Sequence, residues 1–237
     1  MSPKRTIFVA TGIFAGVGIL VSIVIIAING GFSGTNEGGP SIFNPPTSKD
    51  LWTLGSNIAD GMNLTYSLTS STGGDKANLI DSIVSMRFHN MGEKWNIDFK
   101  IRNGSNNNNA SEIHAYYSKD QLLRTDAITE QDNKFLQPVE ASVLAIRDIA
   151  REPKYLVVGA VWDKIFTGSN TIDAKIQSKD MVSTPAGTYD VYSLQYKVGN
   201  SLSTIYINKD LPLPIKAQVY GDNDKLLYDY ELQRISR

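Results

Sequence analysis

The sequence predicts a mainly β protein, an antiparallel sheet covered by one or more helices and preceded by one N-terminal transmembrane helix. Three observations carry that expectation. From Asp50 onward apolar and polar residues alternate with period two, which sends successive side chains to opposite faces of a sheet. The breaks between the alternating stretches hold Gly, Asn, Asp or Pro, the residues that tight turns require. Thr6 to Ile28 contains no charged residue and, as a helix, is long enough to cross a hydrocarbon core about 30 Å thick.

Lys4 and Arg5 precede that apolar run, and the first charge after it is Glu37. The positive flank places residues 1–5 in the cytoplasm as a short tail, residues 6–28 across the bilayer as a partner, and the remainder outside, a single-pass protein of the cell membrane. The run is longer than the apolar core of about 7 to 15 residues in a signal peptide, and Ala27-Ile28-Asn29 is a poor cleavage site, so a signal anchor is expected over a removed leader. A buried core helix would need protein on every side, whereas lipid accepts a helix whose backbone groups are paired internally. Gly12 and Gly16 have the GxxxG spacing that packs membrane helices closely, but glycine is common in such helices, so oligomerisation stays open.

Residues 29–50 are rich in Gly, Pro, Ser and Asn without any period and read as a flexible linker. Residues 51–237 form the extracytoplasmic β domain. Met62, Leu64, Tyr66 and Leu68 mark its first strand, Val84, Met86 and Phe88 a second, and Trp95, Ile97, Phe99 and Ile101 a third. The sequence HNMGEK joins the second and third as a hairpin, and the alternation means one dry face and one wet face. NGSNNNNASE, residues 103–112, has neither apolar period nor helix formers and is expected as a loop, followed by a short strand EIHAYYS.

Between Pro138 and Pro153, Val139, Val143, Ile146 and Ala150 recur three or four apart, which predicts a helix over 138–151 that covers the sheet. The stretches KYLVVGAVW, TIDAKIQ, YDVYSLQYKV, LSTIYINK, PIKAQVYG and KLLYDYEL then follow as strands of an antiparallel meander. Ile215, Ala217 and Val219 point one way, Lys216, Gln218 and Tyr220 the other, and Leu226, Tyr228, Tyr230 and Leu232 share a side. Within TPAGTYDV, Pro185 removes a backbone donor and Gly187 permits a left-handed step, so this is a structural corner between strands and not a ligand loop.

Local chemistry is sparse. The chain has no cysteine, which excludes disulfides, thiol nucleophiles and thiolate metal sites. The 23 Lys plus Arg nearly balance 24 Asp plus Glu with no basic run beyond the apolar segment, so nucleic acid is not an expected partner. The only histidines, His89 and His114, belong to no HExxH pattern and read as solvent-facing strand residues. Ser71, Ser85 and Ser183 lie outside any GxSxG context, and Asp222-Asn223-Asp224, with Asp229 and Glu231 nearby, lacks the glycine and terminal glutamate of a calcium loop. Trp52, Trp95 and Trp162 read as core or interface anchors. Asn63, Asn103 and Asn109 begin N-x-Ser/Thr sequons and are candidate glycosylation sites on an outward-facing domain.

TPAGTYDVYSLQY, STIYINKDLPLPIKAQVY and YDYEL, within roughly Lys154 to Leu232, resemble the closing strands of the lipoprotein-sorting carrier superfamily and its periplasmic relatives. In those proteins a strand ends in a Pro-Ala-Gly corner, a short turn like the one holding Pro212 and Pro214 follows, and a Tyr/Glu-rich strand closes the sheet. The resemblance implies a strongly curved, half-barrel-like antiparallel sheet plugged by helices, with acyl chains in the concavity of some members. The expected function is a membrane-anchored, non-enzymatic structural or interaction domain of the cell envelope without cofactors or metals. A lipid or other apolar-ligand binding module is the alternative, with Trp95, Phe99, Tyr192, Leu194 and Val219 as its candidate ligand face; a hydrolase is the weakest reading, because the sequence holds no local acid-base constellation.

Overall fold

The computed structural model describes residues 46–71, 79–104, 110–167, 170–221 and 224–237. Ten strands form one antiparallel sheet: β2 (Asn63–Ser71), β3 (Leu79–Met91), β4 (Lys94–Asn103), β5 (Ala110–Ser118), β7 (Val161–Thr167), β8 (Asn170–Thr184), β9 (Gly187–Val198), β10 (Ser201–Ile207), β11 (Lys216–Tyr220) and β12 (Leu226–Ser236). A two-residue strand β1 (Leu51–Trp52) pairs with β6 (Lys154–Tyr155) beside it. Two helices, α1 (Glu130–Glu140) and α2 (Ile146–Ile149), lie in the connection from β5 to β6.

The strand order β5-β4-β3-β2-β12-β11-β10-β9-β8-β7 consists of two meanders. Strands β2 to β5 are joined by short loops, as are β7 to β12, and chain neighbours pair within each. The single pairing that links the meanders joins β2 to β12, with Leu68 opposite Tyr230 and Tyr66 opposite Leu232. At this seam the Tyr66 and Tyr230 rings meet edge to face, centroids 5.7 Å apart, a favoured aromatic geometry. The Tyr66 hydroxyl donates to the carbonyl of Pro214 at 3.1 Å. That turn is also an acceptor for the chain's beginning: Trp52 Nε1 donates to the Leu211 carbonyl at 3.1 Å and the Gly55 amide to the Pro212 carbonyl at 3.0 Å. Pro212 and Pro214 are thus buried corners whose carbonyls tie distant segments to the seam.

Alternation sorts the two faces as the sequence implies. Leu64, Tyr66 and Leu68 of β2, Val84, Met86 and Phe88 of β3, and Ala217 and Val219 of β11 are buried in one continuous core, while the intervening residues are partly or fully exposed. Trp52 stacks on Trp162 at 5.7 Å, which fastens β1 and β7 to the same core. Leu136 and Val139 of α1, and Val143, Leu144 and Ile146 after it, complete the cover.

Several expectations need correction. The sheet is open, with β5 at one edge and β7 at the other, and is neither closed nor strongly curled. It is therefore no half-barrel: its apolar face is filled by its own large side chains and by the α1–α2 segment. The helix expected over 138–151 begins earlier and breaks. Thr129 caps α1, its hydroxyl oxygen accepting from the Asp132 amide at 3.1 Å, and Glu130 and Asp132 suit the positive end of the helix dipole. Pro138 is tolerated inside the helix, which then stops at Glu140, where the Ser142 hydroxyl takes over the Pro138 carbonyl at 2.6 Å. KYLVVGAVW is two strands divided by a turn in which Gly159 has φ +96°, and Ala110, Ser111 and Glu112, expected in a loop, open β5.

The transmembrane helix and signal anchor expected over residues 6–28 lie outside the described residues. Among the described residues no helix is long and apolar enough to cross a membrane. The expected single-pass topology, cell-membrane localisation and bilayer as a partner through residues 6–28 therefore find no support in the described residues.

Replacing Tyr66 with Phe leaves the buried Pro214 carbonyl without its donor at the seam. We predict a loss of roughly 1 to 3 kcal/mol in urea unfolding; an unchanged midpoint would show that the bond contributes nothing to the closure.

Candidate functional site

A cleft of about 580 Å³ opens at one end of the β2–β12 seam, beneath the covering helix. Strand β2 contributes Ser70 and Ser71, and β12 contributes Leu227 and Tyr228. Helix α1 and the turn after it supply Lys134, Gln137, Pro138, Ala141 and Ser142. The volume falls within the roughly 300 to 1,000 Å³ typical of small-ligand pockets. Its walls are mostly apolar, since the Pro138 ring, the Ala141 methyl, the Leu227 side chain and the Tyr228 ring form them.

Each wall residue is there for a local reason. Tyr228 sits on the inner side of β12 with Tyr230, and their rings stack at 6.0 Å with planes 11° apart. Burial, with Tyr196 and Asp148 nearby adding to it, pushes the Tyr228 hydroxyl far above the ordinary tyrosine value, so it stays a neutral donor. Among the described residues nothing accepts a hydrogen bond from it. Pro138 has no N–H to give the Lys134 carbonyl one turn earlier. The Ser142 hydroxyl is occupied by the Pro138 carbonyl. Among the described residues Lys134 is the only charged one lining the cleft. Its ammonium meets Glu130 at 3.1 Å one helical turn away, and both side chains are largely exposed.

The residues named from sequence lie elsewhere. Trp95, Phe99, Leu194 and Val219 are buried in the core and Tyr192 is packed against it; none of the five lines the cleft. Trp95 meets Phe88 edge to face and Phe99 meets Tyr117, while Leu194 and Tyr192 belong to β9, several strands away. The Pro185-Ala186 pair is the two-residue turn between β8 and β9, closed by Thr184 opposite Gly187. Thr184 Oγ1 accepts from the Ala186 amide at 3.2 Å, and the Tyr189 hydroxyl donates to the Ala186 carbonyl at 3.0 Å. Asn63 opens β2, its side-chain oxygen accepting from Ser85 Oγ at 2.7 Å, and Asn103 ends β4; Asn109 lies outside the described residues. Asp222 is also outside them, Asp224 accepts from the Asn200 amide at 3.1 Å, and Glu231 pairs with Lys216 at 2.8 Å.

The two histidines do converge, on a partner that sequence reasoning passed over. On the wet face, Asp98 of β4 is flanked by His89 of β3 at 2.8 Å and His114 of β5 at 2.6 Å, one imidazole on each carboxylate oxygen. Partial burial raises the Asp98 carboxyl, but the hydrogen bonds from His114 and His89 and their charges outweigh it and hold the carboxyl below its ordinary value. Among the described residues no group of three His, Asp or Glu side chains is placed to hold a metal ion. The row ties together three strands, and it lies on the face away from the cleft.

The cleft residues carried little local signal. Ser70, Lys134, Ala141 and Leu227 fit no motif, and only the alternation that put Tyr228 on the inner side of β12 pointed toward the site.

No protein-family model matches the chain, and no curated protein does. Two crystal structures align with most of it. One is a candidate exported protein with a YmcC-like fold from Bacteroides fragilis NCTC 9343, 11% identical, covering 79% of this chain and 99% of that one at a TM-score of 0.38. The other is a candidate lipoprotein from Parabacteroides distasonis ATCC 8503, 14% identical, covering 78% and 99% at a TM-score of 0.38. Likeness at that level assigns neither a family nor a function.

Two predictions follow from this geometry. Gly187 has φ +139°, a region that residues with a side chain rarely adopt, while an added Cβ would meet only ordinary contacts with the Tyr189 ring. Gly187→Val should therefore lower stability by about 1 to 3 kcal/mol through backbone strain alone, read from the urea midpoint; a ligand loop would instead leave the midpoint in place. For Asp98 the folded carboxyl titrates below its unfolded value, so its contribution is present above the unfolded pKa and is lost as the pH falls through the folded one. Thermal unfolding should show Asp98→Asn less stable than the parent near pH 6, with the gap closing below about pH 4. A gap independent of pH would mean that the carboxylate charge is not what the histidines recognise.

Proposed function

We propose that the chain acts outside the cytoplasm as a non-enzymatic interaction domain of the cell envelope, and that it engages a small apolar ligand in the cleft between α1 and the β2–β12 seam. The observation that carries this reading is the cleft itself, about 580 Å³ with mainly apolar walls, in a molecule whose sheet is otherwise filled by its own side chains. The resemblance of the closing strands to sorting carriers supports a place outside the cytoplasm. The non-enzymatic reading is supported by the cleft's own groups: the Ser142 hydroxyl is bound to a backbone carbonyl and not to a base, and the His89–Asp98–His114 row lies on the opposite face.

A purely structural domain is the second reading, favoured by the packing of Trp95, Phe99, Leu194 and Val219 into a solid core. Titration of the full chain with a neutral solvatochromic dye separates the two. Saturable binding that is lost when Ala141→Trp fills the cleft is expected. Absence of saturable binding, or binding that Ala141→Trp leaves intact, would favour the structural reading.

A further inference from the structure

Deepening that reading, and resting on it, we infer that the cleft selects an amphipathic organic monoanion, its apolar body lying on Pro138, Ala141, Leu227 and the Tyr228 ring and its carboxylate meeting the Lys134 ammonium. The charge inventory points one way. Among the described residues Lys134 is the only charged one lining the cleft, and no carboxylate of theirs lines it. A cationic head would face the ammonium, whereas an anionic head pairs with it in place of Glu130.

The existing partner of Lys134 offers little competition. The Glu130 pair is a pair within one helix, with side chains 71% and 87% exposed, and such pairs contribute little in water. Exchanging Glu130 for a ligand carboxylate therefore costs the helix almost nothing.

The remaining polar groups suit the same ligand. The half-buried Tyr228 side chain lines the cleft, and its hydroxyl can donate to a ligand oxygen. The Ser142 hydroxyl already has its acceptor in the Pro138 carbonyl and makes no further demand. The site thus offers a hydroxyl donor and a cation at the rim, which an alkyl or aryl carboxylate uses and a hydrocarbon does not.

Three ligands of equal chain length and different head test this on the full chain: decanoate, decanol and decylammonium, each competed against the neutral dye. Decanoate is expected to bind about 2- to 5-fold more tightly than decanol, the range of an exposed to partly exposed ion pair, with decylammonium the weakest. Lys134→Gln should erase the advantage of decanoate over decanol, and Lys134→Glu should move decylammonium ahead of decanoate. Tyr228→Phe should weaken decanoate and decanol alike. If decanol equals or exceeds decanoate in the parent protein, the head-group inference fails while the apolar-ligand reading survives. If none of the three binds saturably, both fail. Ala141→Trp should abolish decanoate binding, with Leu227→Trp as the second blocking variant should the first not fold. Retention of decanoate binding by a folded blocking variant would place the anion elsewhere and overturn the proposal.

Discussion

The pairing of β2 with β12 is the constraint on which the rest of the structure depends. All other neighbours in the large sheet are consecutive in the chain, so they are brought together by short connections at small entropic cost. The seam joins segments from opposite ends of the domain and must be favoured by what it buries. Tyr66, Leu68, Tyr230 and Leu232 supply that burial, and a hydrogen bond from Tyr66 to the Pro214 carbonyl ties β2 to the turn between β10 and β11. A slip of one residue would turn this whole set of side chains to the wet face. Without the seam the two meanders would each expose an apolar face and a pair of free edges.

The candidate site follows from the same closure. Ser70 and Ser71 on one strand and Leu227 and Tyr228 on the other meet only because β2 and β12 are neighbours, and α1 then spans the place where they end. The helix covers this corner incompletely because it stops at Glu140 and the chain turns before α2 begins. A straight helix through residue 151 would present a different surface there. The cleft is therefore a consequence of a seam and a helix end, and its chemistry comes from residues far apart in the chain.

This explains which features were legible in the sequence. Alternation identified the inner residues of β2, β3, β4 and β11 because a strand's period is exposed by burial on one side, and Gly187 was legible because a turn needs its backbone freedom. The start of α1 was not, although Thr129 with Asp132 is a capping pair, because the apolar period is clearest after Pro138 and drew the boundary there. The curvature implied by resemblance did not hold, since strand patterns report which face is buried and not how far a sheet bends. The convergence of His89 and His114 on Asp98 depends on the registers of two strand pairs, and the cleft on a pairing between residues 63–71 and 226–236; neither register is written in any local pattern. Phe99 and Leu194 are buried in the core, where apolar side chains on a covered sheet pack against one another before they line a cavity.

The central claim is that the seam makes one cooperative unit of two meanders, and amide hydrogen exchange measured strand by strand on the full chain tests it most directly. The account predicts that the amides of Ser67, Thr69, Asp229 and Glu231, on the edges that β2 and β12 turn to each other, exchange only through global unfolding, at the same free energy as the central amides of β3 and β9. Exchange of the seam amides at a distinctly lower free energy, with either meander remaining protected after the other has opened, would contradict it.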